Sequence, residues 1–177
     1  PTQTDAKPGR FKFADVNGDG VINADDRTII GDPNPSVTYG INLAAEYKGF
    51  DFSMFFFGVA GREAFNWTRW YTDFSGGFPG GRSKRALYDS WLPDGSRPGA
   101  KTPMAEASFN SANTVSSYYV EDASYFRLRN LQIGYTLPVS LSSKARLSKV
   151  RIYVQGTNLF TITDYTGLDP EVISNDD

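Results

Sequence analysis

The chain has 177 residues, with 18 Lys and Arg against 20 Asp and Glu for a formal charge of −2, and contains neither cysteine nor histidine. The near-balance of charge argues against a nucleic-acid partner or a polybasic membrane anchor, and the missing residue types exclude disulfides, thiolate or imidazole metal sites and every Ser/His or Cys/His relay. Phe, Tyr and Trp make up 15% of the chain, which suits β-structure and is foreign to disorder.

No run approaches the roughly 20 apolar residues of a membrane helix, and no basic start leads into an apolar stretch, so no signal peptide is expected. Neither fact bears on a membrane-spanning strand, which needs only about 9–11 residues of alternating character.

Residues 1–14 are polar and contain Pro1, Pro8 and Gly9, an irregular lead-in. Residues 15–26 then place oxygen side chains at Asp15, Asn17, Asp19, Asn23 and Asp26. Gly20 stands where a sharp turn needs no Cβ, and Ile22 is an apolar anchor. This is EF-hand loop spacing, departing only in Asp26 where a bidentate Glu is expected. It predicts a calcium site with ligands Asp15, Asn17, Asp19, the Val21 carbonyl, Asn23 and Asp26; the alternative is an Asn/Asp/Gly-rich turn with no ion. The same twelve residues resemble a dockerin calcium repeat, although the paired repeats and flanking helices of a dockerin are missing.

Gly31-Asp32-Pro33-Asn34-Pro35 forbids helix and turns the chain into a first strand. From Thr38 to Lys48, Tyr39, Ile41, Leu43, Ala45 and Tyr47 alternate with Thr38, Gly40, Asn42, Ala44 and Glu46. Strand character resumes from Phe50 to Gly58. A two-residue turn at Lys48-Gly49 makes facing residues sum to 97: Tyr47/Phe50, Ala45/Phe52, Leu43/Met54 and Ile41/Phe56 on the apolar face. The other face pairs Asn42/Phe55, Ala44/Ser53 and Glu46/Asp51, the last an unfavourable pair of like charges.

Residues 61–123 show no sustained period and hold Trp67, Trp70 and Trp91, with a short helix expected around Ser83–Trp91. A connection of this length is usually functional. Its densest aromatic and polar cluster, Trp67, Arg69, Trp70, Tyr71 and Asp73, is the candidate for contact with a substrate or a protein partner, or else packs the loop onto its neighbours. Strand character returns near Tyr125: Leu131, Ile133, Tyr135 and Leu137 alternate with Asn130, Gln132, Gly134 and Thr136. Arg127 and Arg129 share parity with the apolar set. Either they lie outward beyond the hydrocarbon zone, or a bulge near Asn130 swaps the faces. After Pro138 and a Ser/Lys-rich turn, Val150, Ile152 and Val154 alternate with Arg151, Tyr153, Gln155 and Thr157.

One apolar and one polar face per hairpin fits a soluble antiparallel sheet or the wall of a transmembrane barrel. Long, near-equal strands, short turns opposed to a very long loop, and aromatics at strand ends (Tyr39, Tyr47, Phe50, Tyr125, Phe126, Phe160) are features of the barrel.

A longer ordered set carries a family resemblance. It runs through Asp26-Arg27-Thr28-Ile29-Ile30-Gly31-Asp32-Pro33-Asn34-Pro35, Thr38-Tyr39-Gly40-Ile41-Asn42 and Tyr47-Lys48-Gly49-Phe50-Asp51. It continues through Phe55-Phe56-Phe57-Gly58-Val59-Ala60-Gly61, Tyr125-Phe126-Arg127-Leu128-Arg129-Asn130-Leu131, Gly134-Tyr135-Thr136-Leu137-Pro138 and Asn158-Leu159-Phe160-Thr161-Ile162-Thr163-Asp164-Tyr165. In this order and spacing the chain resembles the C-terminal barrel region of the SusC/RagA family of TonB-dependent outer-membrane transporters.

The resemblance implies an all-β fold of antiparallel transmembrane strands with long extracellular loops, part of a 22-stranded barrel. Residues 1–35 would be an extracellular loop carrying the calcium loop at 15–26. Residues 36–60 and 124–163 would be barrel hairpins, 61–123 a long extracellular loop and 164–177 the start of another. Lys48-Gly49 and Pro138–Lys149 would be periplasmic turns. It further implies a bacterial outer-membrane location, a SusD-type lipoprotein partner, TonB acting through an N-terminal part, contact with outer-membrane lipid, and import of oligosaccharides or peptides, with no enzymatic activity. Four strands do not close a lumen and an open edge in lipid leaves backbone groups unsatisfied, so the chain is expected to be one piece of something larger.

Two other function classes compete. A secreted calcium-stabilised carbohydrate-binding β module would use the loop tryptophans to stack on sugar rings and would need no detergent. A glycosidase would pair Asp164 with Asp169 or Glu171, which sit in a polar tail with no pocket implied.

Overall fold

The computed structural model describes residues 1–74, 80–106 and 114–172. Its strands are β1 (Thr2–Gln3), β2 (Val21–Ile22), β3 (Val37–Tyr47), β4 (Phe50–Ala60), β5 (Glu63–Phe65), β6 (Val120–Asp122), β7 (Tyr125–Thr136) and β8 (Arg151–Thr163). Short helices α1 (Trp67–Asp73), α2 (Lys84–Tyr88) and α3 (Val139–Ser142) lie in the connections, and among the described residues no helix is long and apolar enough to cross a membrane. The chain divides into two compact units. One is Pro33–Glu63 with Asp122–Tyr165; the other is Pro1–Asp32 with Ala64–Glu121 and the residues from Thr166 onward. The expected tail loop 164–177 lies outside the described residues from 173 on.

The first unit is an antiparallel sheet of order β3-β4-β7-β8. Its first hairpin turns through Lys48 and Gly49, whose φ of 48° and 86° are the two positive values a type I′ turn requires. The register follows from that turn: Tyr47 opposes Phe50, Leu43 opposes Met54 and Ile41 opposes Phe56, so the sum-of-97 pairing holds along the hairpin.

β7 settles the placement of the arginines. Phe55 pairs with Asn130 but Phe56 pairs with Leu128, leaving Arg129 as an extra residue in a β-bulge. One extra residue exchanges the faces on either side of it. Leu128 therefore joins Leu131 and Ile133 on the apolar face, and Arg127 joins Asn130 and Gln132 on the polar face, where its Nε donates to Thr161 Oγ1 at 2.8 Å. Of the two alternatives, the swap of faces is the one observed. Tyr125 shifts with Arg127: it opposes Val59 on the polar face and is buried, so it does not belong to an outward girdle. On β8 a second irregularity, at Asn158 with φ of 51°, keeps Phe160 opposite Leu128.

The apolar face now reads in rows across four strands. Ile41, Phe56, Leu128 and Phe160 form one; Leu43, Met54, Leu131 and Gly156 the next; Ala45, Phe52, Ile133 and Val154 a third. Aromatic belts bound it. At one end Tyr39 stacks on Phe126 at 6.2 Å and Phe56 on Phe126 at 5.3 Å; at the other Phe50 meets Tyr135 at 4.5 Å. From Tyr39 to Tyr47 is roughly 27 Å of strand, of the order of the apolar band of an outer-membrane barrel.

In the other unit the described residues between Ala64 and Glu121 pack with the lead-in around an aromatic centre. Tyr119, wholly buried, and Phe74 form a centre against which Phe11, Phe65, Trp70 and Tyr118 pack. Ring centroids lie 5.0 Å apart for Tyr118–Tyr119 and 5.1 Å for Trp70–Tyr119, edge-on or tilted as aromatic quadrupoles prefer. Arg10 clamps Glu106 from both Nε and Nη2, tying the lead-in to the long connection 96 residues later. The helix expected around Ser83–Trp91 is α2, with Ser83 accepting from the Ala86 N–H as its N-cap.

Candidate functional site

Three features carry the sequence's functional candidates: the outward face of the sheet, the oxygen-rich loop and helix α1. The face is defined by what it lacks. Tyr39, Ile41, Leu43, Tyr47, Phe50, Ile133, Ile152, Val154 and Ile162 are all among the exposed large apolar residues. A monomeric soluble protein does not leave so large a contiguous apolar surface to water. The opposite face carries Asn42, Gln132, Arg127, Thr157 and Thr161, the pattern of a wet interior.

In the loop, Asp15 accepts from the N–H of Gly18 (2.8 Å) and Gly20 (3.0 Å), Asn17 from Asp19 (3.0 Å) and Asp19 from Val21 (2.8 Å). Asp26 closes the loop by accepting from Asn23 and Val16, both at 2.8 Å, and those N–H groups, Asn23 first, hold its carboxyl below the usual carboxylate range. Gly18 and Gly20, with φ of 76° and 84°, supply the left-handed backbone that makes this possible. The donor set is all oxygen, as a hard cation wants, and each backbone bond uses one lone pair of a carboxylate that has about four. Among the described residues, however, no three acidic side chains are gathered closely enough to hold a metal ion.

Helix α1 starts at Asn66, whose Oδ1 accepts from the Arg69 N–H at 2.9 Å. Its helical spacing splits the five-residue cluster in two. Asp73 is buried, accepting from Ser83 Oγ (2.5 Å), Tyr118 Oη (3.1 Å) and Arg85 (3.2 Å). Arg69 lies 3.7 Å over the Tyr118 ring and bonds Glu121 at 3.1 Å, while Trp70 packs on Tyr119. These three hold the unit together. Trp67 and Tyr71, one turn apart, remain exposed by 38% and 49% with their rings stacked at 6.2 Å. They are the members of the cluster open to a ligand or partner.

Sequence reasoning missed the polar junction beneath that helix. Glu121 accepts from Asn66 Nδ2 (3.0 Å), the Thr166 N–H (2.9 Å) and Arg69. Burial works to raise its carboxyl, and the Thr166, Asn66 and Arg69 partners overcome it, leaving the group below its ordinary value. Of the glycosidase candidates, Asp169 accepts from the Glu171 backbone N–H at 2.9 Å.

Together the sheet and its apolar face define the class: an antiparallel segment of a membrane β-barrel. Comparison with known proteins gives the family. No family model matches the chain, but it is 41% identical over 94% of its length to TonB-dependent receptor P3 of Formosa agariphila. It is 30% identical over 97% of its length to TonB-dependent receptor SusC of Bacteroides thetaiotaomicron. The solved RagAB peptide importer in its closed-closed state superposes over 84% of the chain with a TM-score of 0.69 and 30% identity. The chain belongs to the SusC/RagA family of TonB-dependent receptors, and its relatives are receptors and importers rather than enzymes. It spans 16% of the length of each of these proteins.

Proposed function

We propose that the chain is four strands of wall, with the attached surface loops, of a bacterial outer-membrane importer energised through TonB and working with a SusD-type surface lipoprotein. The observation that carries this is the two-faced sheet: one register places three apolar rows between aromatic belts on one face, and Asn42, Gln132, Arg127, Thr157 and Thr161, with Phe55, Phe57 and Tyr125 among them, on the other. A secreted carbohydrate-binding module would leave that apolar face in water. The cargo is an oligosaccharide or a peptide, the second favoured by the likeness to a peptide importer.

The loops take three roles in this reading. Residues 15–26 wrap one calcium ion through Asp15, Asn17, Asp19, the Val21 carbonyl, Asn23 and Asp26, pinning an extracellular loop. Trp67 and Tyr71 offer a stacked aromatic surface to cargo or lipoprotein, supported from below by Arg69, Trp70 and Asp73. The turn at Lys48-Gly49 and the connection 137–150 face the periplasm. The test is topological: an epitope inserted in the full-length receptor after Gly95 is stained on intact cells, and one inserted after Gly49 is stained only after the outer membrane is opened. Staining of both on intact cells sinks the proposal.

A further inference from the structure

Four non-glycine residues adopt positive φ among the described residues: Asp5, Lys48, Arg146 and Asn158. Asp and Asn enter the left-handed region readily because a short polar side chain bonds locally; Lys and Arg do not. Both cations therefore stand where Gly or Asn would serve the backbone better, Lys48 at the first turn position of a β-hairpin and Arg146, φ 57°, at the end of a 3₁₀ turn after α3. A broken local rule at a cation left exposed, whose only gain is a cation–ring contact at Lys48, points to function. Both residues are exposed.

The two turns lie at the same end of the sheet, since the Thr136 N–H donates to the Gly49 carbonyl at 2.7 Å and the Leu137 N–H to the Val150 carbonyl at 2.9 Å. Residues 137–150 contain Lys144, Arg146 and Lys149 and no acidic residue. The same connection exposes Val139 by 73%, and Leu141 and Leu147 by 52% each. Cations interleaved with exposed aliphatic side chains describe a segment lying in a membrane interface. It adjoins the aromatic belt: the Lys48 ammonium sits 5.1 Å over the Tyr47 ring, and Tyr47 is on the apolar face. Lys48 and Lys149 border one open concavity of about 650 Å³ with Tyr47, Phe50 and Thr136. Its acidic members, Glu46 and Asp51, belong to the polar face, and Asp51 is bonded to Arg151.

We infer that this end of the sheet is a headgroup site for anionic phospholipid: Val139, Leu141 and Leu147 seat in the leaflet beside the turns while Lys48, Lys144, Arg146 and Lys149 bind lipid phosphates. The inference rests on the barrel-wall reading. The test uses the full-length receptor, reconstituted into zwitterionic bilayers and, separately, delipidated in detergent and titrated with phosphatidylglycerol or phosphatidylcholine, with bound lipid counted by native mass spectrometry. K48N and R146N suit because Asn fits both backbone conformations, so each variant keeps or raises the thermal midpoint. Retained phosphatidylglycerol should fall roughly fivefold per cation removed, with phosphatidylcholine unchanged. Equal retention of phosphatidylglycerol by the parent and the double variant, or no headgroup preference in a parent that reconstitutes normally, overturns the inference and leaves the barrel wall standing. A parent that never enters the bilayer overturns both.

Discussion

Arg151 on β8 reaches across β7 to bond Asp51 on β4, its Nε meeting Oδ1 at 2.9 Å and its Nη2 meeting Oδ2. The strand between them passes through at Gly134, where a Cβ would lie 2.5 Å from the Asp51 carboxylate and 2.6 Å from the guanidinium. The bridge also explains how Glu46 and Asp51 tolerate facing each other. Gly134→Val should therefore break the Arg151–Asp51 pair and lower the thermal midpoint of the full-length receptor in detergent. In an Asp51→Asn, Arg151→Gln background the same change should cost much less. An equal loss in both backgrounds shows that Gly134 serves something other than the bridge.

The bulge absorbs Arg129 as an extra residue and so keeps Arg127 off the apolar face. Deleting Arg129 restores an unbroken ladder against β4 with Leu128 still opposite Phe56 and Arg127 still opposite Phe57, so both faces are kept. The deletion, like Arg129→Ala, should therefore retain the heat-modifiable folded band in outer-membrane fractions. Loss of the band on deletion alone contradicts the assignment of Arg129 as the extra residue.

How much of this was legible depends on where the partners lie along the chain. The first hairpin was readable because its strands are consecutive, a two-residue turn fixes every pair from Tyr47/Phe50 outward, and two patterns converge on one register. Arg127 and Arg129 were not, because a bulge is defined by the partner strands: β7 is counted against Phe55 and Phe56, over seventy residues earlier. The core of 61–123 was opaque for a related reason. Tyr119, Phe74 and Phe11 follow no period and meet only when the lead-in folds onto the long connection. The cluster at Trp67–Asp73 stood out by composition alone, and seven residues without a recognised helical period gave no way to separate the exposed Trp67 and Tyr71 from the inward Arg69, Trp70 and Asp73.

Leu43 and Asn42 are neighbours in sequence on opposite faces of the wall. Leu43→Arg, in the middle apolar row, should cost about 2–4 kcal/mol of folding stability in a bilayer, while Asn42→Arg should fall near zero. Denaturant titration in vesicles gives both numbers. Similar losses for the two would mean that the apolar face is not the lipid face.

Glu121 makes the loop unit acid-sensitive. Its folded carboxyl titrates below its unfolded value, so its contribution is complete above the ordinary glutamate range, near 4.5, and is lost as pH falls through the lower folded value. Protonation leaves Arg69 and the Thr166 N–H with a neutral acceptor. Limited proteolysis of the receptor should show cleavage within 61–123 rising below pH 4.5, and Glu121→Gln should be cleaved more readily at pH 7 with a shallower pH profile. An unchanged profile in the variant assigns the sensitivity to another group.

The calcium proposal has the sharpest test. Asp15 already accepts from the N–H of Gly18 and Gly20, Asn17 from that of Asp19 and Asp19 from that of Val21, and Asp26 is drawn in by Val16 and Asn23. Binding then requires the free lone pairs of these oxygens to converge with the Val21 carbonyl, and the three carboxylates to draw together from positions at which they do not yet form a metal-holding group. Three carboxylates and a short Asp at the last position, where a longer Glu would chelate with both oxygens, place the expected dissociation constant at about 10⁻⁴–10⁻³ M, the range of extracellular modules. Calorimetric titration of the chelator-treated receptor should give one binding event in that range, lost in Asp19→Ala, with calcium protecting residues 15–26 from protease. The strands should be untouched, so the variant should keep the parent's heat-modifiable band. Absence of calcium-dependent heat or protection at about 10 mM, well above that range, leaves residues 15–26 as an Asn/Asp/Gly turn held by its own backbone bonds.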